Sequence, residues 1–176
     1  MNGRTVILGM LLTALIVGAS IYYLQIYAYY FDVTAEQAGG VRLTSMVSGQ
    51  PEVIEVGNFQ AIDSNSSPIR FRACFETGLS LATLTGTYQT YGDATPLVTP
   101  GWFDCFDAGT VDAGLESGAA IAFVGVKDIS YGIDRVVAVF TDGRGYSWDQ
   151  INACGSVVFN GDPAPAGCPP VPENLQ

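Results

Sequence analysis

Four cysteines, two arginines beside one of them and a scatter of carboxylates are the residues of this chain that could do chemistry. Histidine is absent from all 176 positions. That removes the usual general base, the Ser-His-Asp and Cys-His nucleophile systems, and the commonest metal ligand. The cysteines are Cys74, Cys105, Cys154 and Cys168. Their spacing contains no CxxC and no CxxCH, so a thioredoxin-type redox pair, a covalent haem and a four-cysteine zinc site are not expected. An even number in an exported domain predicts two disulfides. Cys154 and Cys168 are close across a Gly/Pro-rich segment, which favours the pairs Cys154–Cys168 and Cys74–Cys105.

The stretch IRFRACF (69–75) alternates as a strand, with Ile69, Phe71, Ala73 and Phe75 on one face and Arg70, Arg72 and Cys74 on the other. Two arginines beside a thiol could bind an anion or lower the thiol pKa. The plainer expectation is that both find internal carboxylates and that Cys74 is oxidised. The pairs Asp104/Asp107 and Asp112/Glu116 have the residue types of a glycosidase, but carboxylates are too common for this to carry weight. Asp142-Gly143-Arg144-Gly145 near Asp149 lacks the ladder and terminal Glu of an EF-hand loop, and is expected as a hairpin turn. No phosphate-binding glycine loop or kinase loop set occurs. We therefore expect no catalytic, metal or cofactor residues and no enzyme activity. Arg70, Arg72, Trp102 and Trp148, with Tyr146, form the candidate binding surface.

These residues follow an apolar stretch at 5–31, TVILGMLLTALIVGASIYYLQIYAYYF, which carries no charge. A helix of that length is about 40 Å long, enough to cross a bilayer. Tyr22, Tyr23, Tyr27, Tyr30 and Phe31 crowd its second half, as expected of an exit interface or a contact with a partner. Arg4 flanks the other end, so the expected orientation is N-terminus inside and C-terminus outside. Ala14 and Gly18 are a small-xxx-small pair that would let a second transmembrane helix approach. A cleaved signal peptide ending at Val17-Gly18-Ala19 is the alternative, weakened by an apolar run that continues well past Ala19.

All 17 acidic residues lie at or after Asp32, with six of the seven basic ones, leaving the outer part at −11. Such a charge keeps a domain soluble and argues against nucleic acid and against anionic lipid surfaces as partners of the domain as a whole. The pattern predicts an α+β, mostly β fold: an N-terminal transmembrane helix, then a compact disulfide-bonded domain of antiparallel strands, then a Pro-rich tail. The expected divisions are 1–31 anchor, 32–40 spacer, 41–161 domain and 162–176 tail. Strands are expected at 41–48, 52–56, 69–75, 120–126 and 134–141, the last paired with 145–151 in a hairpin. Residues 108–119 have helical character weakened by three glycines.

At GWFDCFDAG (101–109) and FTDGRGYSWDQINACG (140–155), and in PIRFRACF (68–75) and the tail GCPP, the chain resembles an uncharacterised family. Its members are short single-span envelope proteins of alphaproteobacteria, described as a domain of unknown function. The resemblance covers anchor and outer domain, brings no catalytic residues, and implies a bacterial inner membrane with the domain in the periplasm. Together these readings lead us to expect a non-catalytic accessory subunit or assembly factor of an integral membrane protein complex. A respiratory or other electron-transport complex suits that setting, with the lipid bilayer as the other partner. A membrane-tethered ligand-binding or sensor domain is the first alternative, and a thiol-based assembly factor the second.

Overall fold

The computed structural model of the chain describes residues 2–175. The apolar stretch forms helix α1, Gly3–Tyr23, continued by a π-helical segment, Leu24–Ala28. Together they span 26 residues, with a mean hydropathy of 2.1 in the most apolar window and none of that window buried against the domain. By length and composition this is a membrane anchor or a signal sequence. Two of its hydroxyls are satisfied inside the helix: Thr13 donates to the Gly9 carbonyl at 2.9 Å and Ser20 to Ile16 at 2.8 Å. A segment in lipid needs such internal partners.

The helix gives way to strand sooner than the 5–31 reading implied. Strand β1, Tyr30–Asp32, is separated from Ala28 by the single residue Tyr29 and pairs antiparallel with β4, Gly57–Ser64, with Tyr30 opposite Ser64 and Phe31 opposite Asp63. The aromatic run that suits a membrane interface also has high β propensity, and here backbone pairing decides between them. Residues 32–40, expected as a spacer, are bonded to the domain and to one another: Asp32 lies in β1, Val33 donates to the Ala61 carbonyl at 2.9 Å, and Gly40 to Ala35 at 2.8 Å.

Four more strands complete the sheet: β5 Arg72–Glu76, β6 Ala120–Ser130, β7 Ile133–Phe140 and β8 Arg144–Ile151. They line up antiparallel in the order β1-β4-β5-β8-β7-β6. Alternation along β7 sends Val136, Ala138 and Phe140 to one face and Val137 and Val139 to the other, and all five are buried. The first face packs under helix α3, Ala108–Ser117, and under Phe103 and Phe106. The second packs under the hairpin of β2, Arg42–Thr44, and β3, Pro51–Val53, and under helix α2, Leu81–Thr87. The sheet is therefore a middle layer, which explains why β6 and β7 carry near-continuous apolar runs, AIAFVGV and VVAVF.

Capping residues set the short helices. Ser80 starts α2 by accepting from the Thr83 amide at 3.1 Å. Asp107 starts α3 by accepting from Thr110 at 2.6 Å. Asn152 starts α4, Ala153–Val158, by accepting from Gly155 at 3.0 Å. Gly145 is required by close approach, because a Cβ there would collide with the ring of Phe75, its partner in register. Both expected disulfides form, Cys74–Cys105 and Cys154–Cys168.

Candidate functional site

The most heavily built feature outside the core is the junction between helix and sheet. A helix ends with carbonyls that have no intrahelical donor. Here one of them has a side-chain partner: the indole Nε1 of Trp102 donates to the Ile26 carbonyl at 2.7 Å. The same ring stacks on Tyr27 at 6.3 Å and meets Tyr30 edge-on at 5.9 Å, and Tyr23 stacks on Tyr27 at 6.0 Å. Arg70 closes the cluster from the domain side, donating to the Tyr30 hydroxyl at 2.8 Å. The tyrosine face expected to await a partner is thus partly covered by the chain's own Trp102. Tyr22 and Phe31 remain exposed, and no atom lies near the Gly18 position. Ala14 is likewise exposed on the free helix.

Arg72 braces the loop that carries Trp102. It is buried, and its guanidinium donates to four backbone carbonyls: Leu97 at 2.9 Å, Ile69 at 2.8 Å, Phe71 at 2.7 Å and Val98 at 3.3 Å. This corrects the expectation of a carboxylate partner and of a surface cation. Burial lowers its pKa to about 10, which leaves it fully charged at neutral pH. A planar fork of five donors can gather several carbonyls at once, which an ammonium cannot. Trp148 also departs from the expected surface role. It is 0 % exposed, and its indole donates to Gln150 Oε1 at 3.0 Å. Tyr146, too, is buried in the same core cluster.

The internal carboxylate pair instead joins Arg135 and Asp149, register partners on β7 and β8. The bond is bidentate at 2.7 and 3.0 Å, and the guanidinium lies 3.6 Å above the Phe71 ring. Burial pushes the Asp149 pKa up, against the pull of Arg135. Asp63 is raised for the same reason.

A cleft of about 690 Å³ opens between the ends of β7 and β8, residues 91–97 and the tail around Gly167 and Pro169. Its deepest polar group is Asp134, which accepts from Tyr91 Oη at 3.1 Å, from the Asp128 amide at 2.9 Å and from Asn152 Nδ2 at 2.9 Å. Burial, helped by the Asp134 charge, raises the Tyr91 pKa and keeps its hydroxyl a donor. Gln150 ties the opposite wall, accepting from the Thr95 amide at 2.9 Å and donating to the Asp93 carbonyl at 2.9 Å. These bonds tie the loops on both sides of the cleft to the ends of β7 and β8. Sequence reasoning passed over Asp134, Tyr91 and Gln150, because they are scattered over 60 positions of chain and share no motif.

Asp107, one of the carboxylates weighed as a catalyst, is the cap of α3. Among the described residues no three His, Cys, Asp or Glu side chains cluster as a metal site, and all four cysteines are paired. No curated protein and no solved structure matches the chain. A family model does match residues 41–169, most of the chain beyond the apolar helix. The chain therefore belongs to that family, a family of unknown function (DUF6446).

Proposed function

We propose that the protein is a single-span, non-catalytic component of a membrane protein complex, acting as an accessory subunit or assembly factor. In this reading residues 3–28 stay in the bilayer as an uncleaved anchor. The N-terminus lies in the cytoplasm and the disulfide-bonded domain lies in the periplasm of a bacterial inner membrane. An electron-transport complex remains the partner class we would test first. The observation that carries the proposal is the junction: one residue separates helix from sheet, and Trp102 caps the helix from inside the domain. Such a joint holds the domain in one orientation to the span, which suits fixed contacts with a stationary partner. Two disulfides fit an oxidising compartment.

The test is affinity purification of the tagged full chain in mild detergent, followed by native electrophoresis and mass spectrometry. The expected result is one stoichiometric membrane complex. It should be weakened by Gly18→Leu, which fills the open small-residue face of α1 while leaving insertion intact. Recovery of the protein alone would refute the reading.

The cleft supports a second reading, a tethered ligand-binding domain. Its discriminating measurement is a thermal-shift screen of periplasmic metabolites on the full chain. A ligand at one hundred times its Kd adds about 2.7 kcal/mol of stability, and a flat screen removes this reading. The thiol-factor alternative has no free cysteine to support it.

A further inference from the structure

The register of the sheet decides which side chains share the end from which the helix leaves. Tyr30 sits opposite Ser64, Ile62 opposite Arg72, Arg72 opposite Trp148, Ile133 opposite Ile151, and Ser130 opposite Ile133. The start of β1 therefore lies at the same end as the β4–β5 loop, the β6–β7 turn and the β8–α4 corner. Three large apolar side chains are exposed there: Ile129, Ile151 and Phe159. The Phe159 ring lies beside Gly132 in the β6–β7 turn. Ile129 also shares a shallow concavity with Ser64, the partner of Tyr30. Two of the six basic residues of the acidic domain, Arg70 and Lys127, stand at this end as well. Asp63 and Asp128 accompany them, and Asp128 is engaged by the Gly132 amide and Asn152.

The opposite end differs in chemistry. It carries the turn residues Asp142 and Arg144, with Glu76 across from Arg144 and Asn58 bonded to Glu76. No large apolar side chain is exposed at that turn.

We infer that the helix-proximal end of the sheet docks on the lipid headgroup layer, as a second membrane contact beside the helix. This rests on the anchor reading above. Continuity commits the surface to the bilayer: only Tyr29 separates the end of the helix from the start of the strand at Tyr30, so the sheet end starts at the interface. Neighbouring strands stand about 4.8 Å apart, so Ile151 on β8 lies roughly 14 Å from β1 along that surface. Isoleucine and phenylalanine that enter the headgroup–acyl boundary, with Arg and Lys reaching lipid phosphates, match the composition that such an interface takes.

The experiment places a benzophenone amino acid at position 15, 129, 142 or 159 of the full chain. The variants are reconstituted in phosphatidylcholine–phosphatidylglycerol vesicles, irradiated and analysed for lipid adducts by mass spectrometry. Position 15 lies in α1, and position 142 lies about 25 Å away from the docking end, the length of β7 at about 3.3 Å per residue. Adducts at 15, 129 and 159, at least tenfold above those at 142, are the expected result. Adducts at 15 without 129 and 159 overturn the docking and leave the anchor standing. Equal yields at 142 and 129 overturn the orientation. Absence of adducts at 15 overturns the anchor reading and the docking with it.

Discussion

Replacing Trp102 with Ala tests whether the joint between span and domain is rigid because of its own contacts. The substitution deletes the hydrogen bond to the Ile26 carbonyl, a neutral bond worth about 1 kcal/mol net. It also deletes ring contacts with Tyr27 and Tyr30, each worth about 0.5–1.5 kcal/mol beyond area burial. The sum is about 2–4 kcal/mol on local opening of the joint, roughly a 30- to 900-fold rise in the open population. Hydrogen exchange of the full chain in lipid nanodiscs reads this directly at the amides of residues 30–33. Amides in β7 should change far less, because two of its side chains, Val137 and Val139, are held in the cluster on the other face of the sheet from Trp102. Trp102→Phe keeps a ring and loses only the N–H donor, so its effect should be about 1 kcal/mol, near fivefold. If Trp102→Ala leaves exchange at residues 30–33 as in the wild type, the indole does not hold the joint, and the main support for the proposed function is gone.

Arg72→Lys should cost about 3 kcal/mol in denaturant unfolding, because three mobile donors replace a fork that serves four carbonyls. A loss under about 0.5 kcal/mol would show that the fork is dispensable. Replacing Cys154 and Cys168 by Ser removes a bridge across a sequence separation of 14, and should cost about 3 kcal/mol on the chain-entropy account. The same change should raise protease sensitivity of residues 161–169, and an unaltered digestion pattern would contradict the pinning. Asp149 has a folded pKa raised by burial, so the folded state holds its proton more tightly than the unfolded chain. Its contribution is then largest below the unfolded value, near 3.8, and falls as pH rises through the raised folded value. The stability gap between wild type and Asp149→Asn should therefore widen as pH is lowered from 7 toward 4. A narrowing gap would mean that Arg135 outweighs burial.

The parts of this fold that the sequence made legible are those fixed by local chemistry. Asp142-Gly143 marks its hairpin because the turn needs a positive φ, and Gly143 has φ 88°. The disulfide pairing followed from sequence distance and the Gly/Pro segment. Residues 108–119 formed their helix despite the glycines because Asp107 caps it and Gly114 lets the Phe140 ring lie against the helix. What stayed hidden depends on distant residues. Nothing local tells that Tyr30 and Phe31 leave the helix for a strand, since the reason is the β4 edge 30 residues on. Nor does a polar alternation in IRFRACF reveal that both faces of β5 are covered, so that Arg72 lies inside. Trp148 reads from sequence as a surface residue because aromatic side chains serve binding sites and cores alike.

Those hidden features bear on function together. A domain joined by a nine-residue spacer would sample many orientations, and docking it would cost about 1–2 kcal/mol of backbone entropy per residue ordered. Here that ordering is built in before any partner arrives. The backbone of residues 33–40 is bonded to itself and to β4, the helix end is capped by Trp102, and Arg72 fixes the loop from which Trp102 projects. Fixed orientation gives little to an enzyme or receptor that meets small molecules diffusing from all sides. It gives much to a surface that must meet the same stationary neighbour, in one register, each time. The joint concentrates bonds where the helix meets the sheet, with Trp102 donating to the Ile26 carbonyl and Arg70 to the Tyr30 hydroxyl. The selective value of this architecture is accordingly sought in where it holds the domain, and the exposed face of α1 and the helix-proximal end of the sheet are the surfaces so positioned.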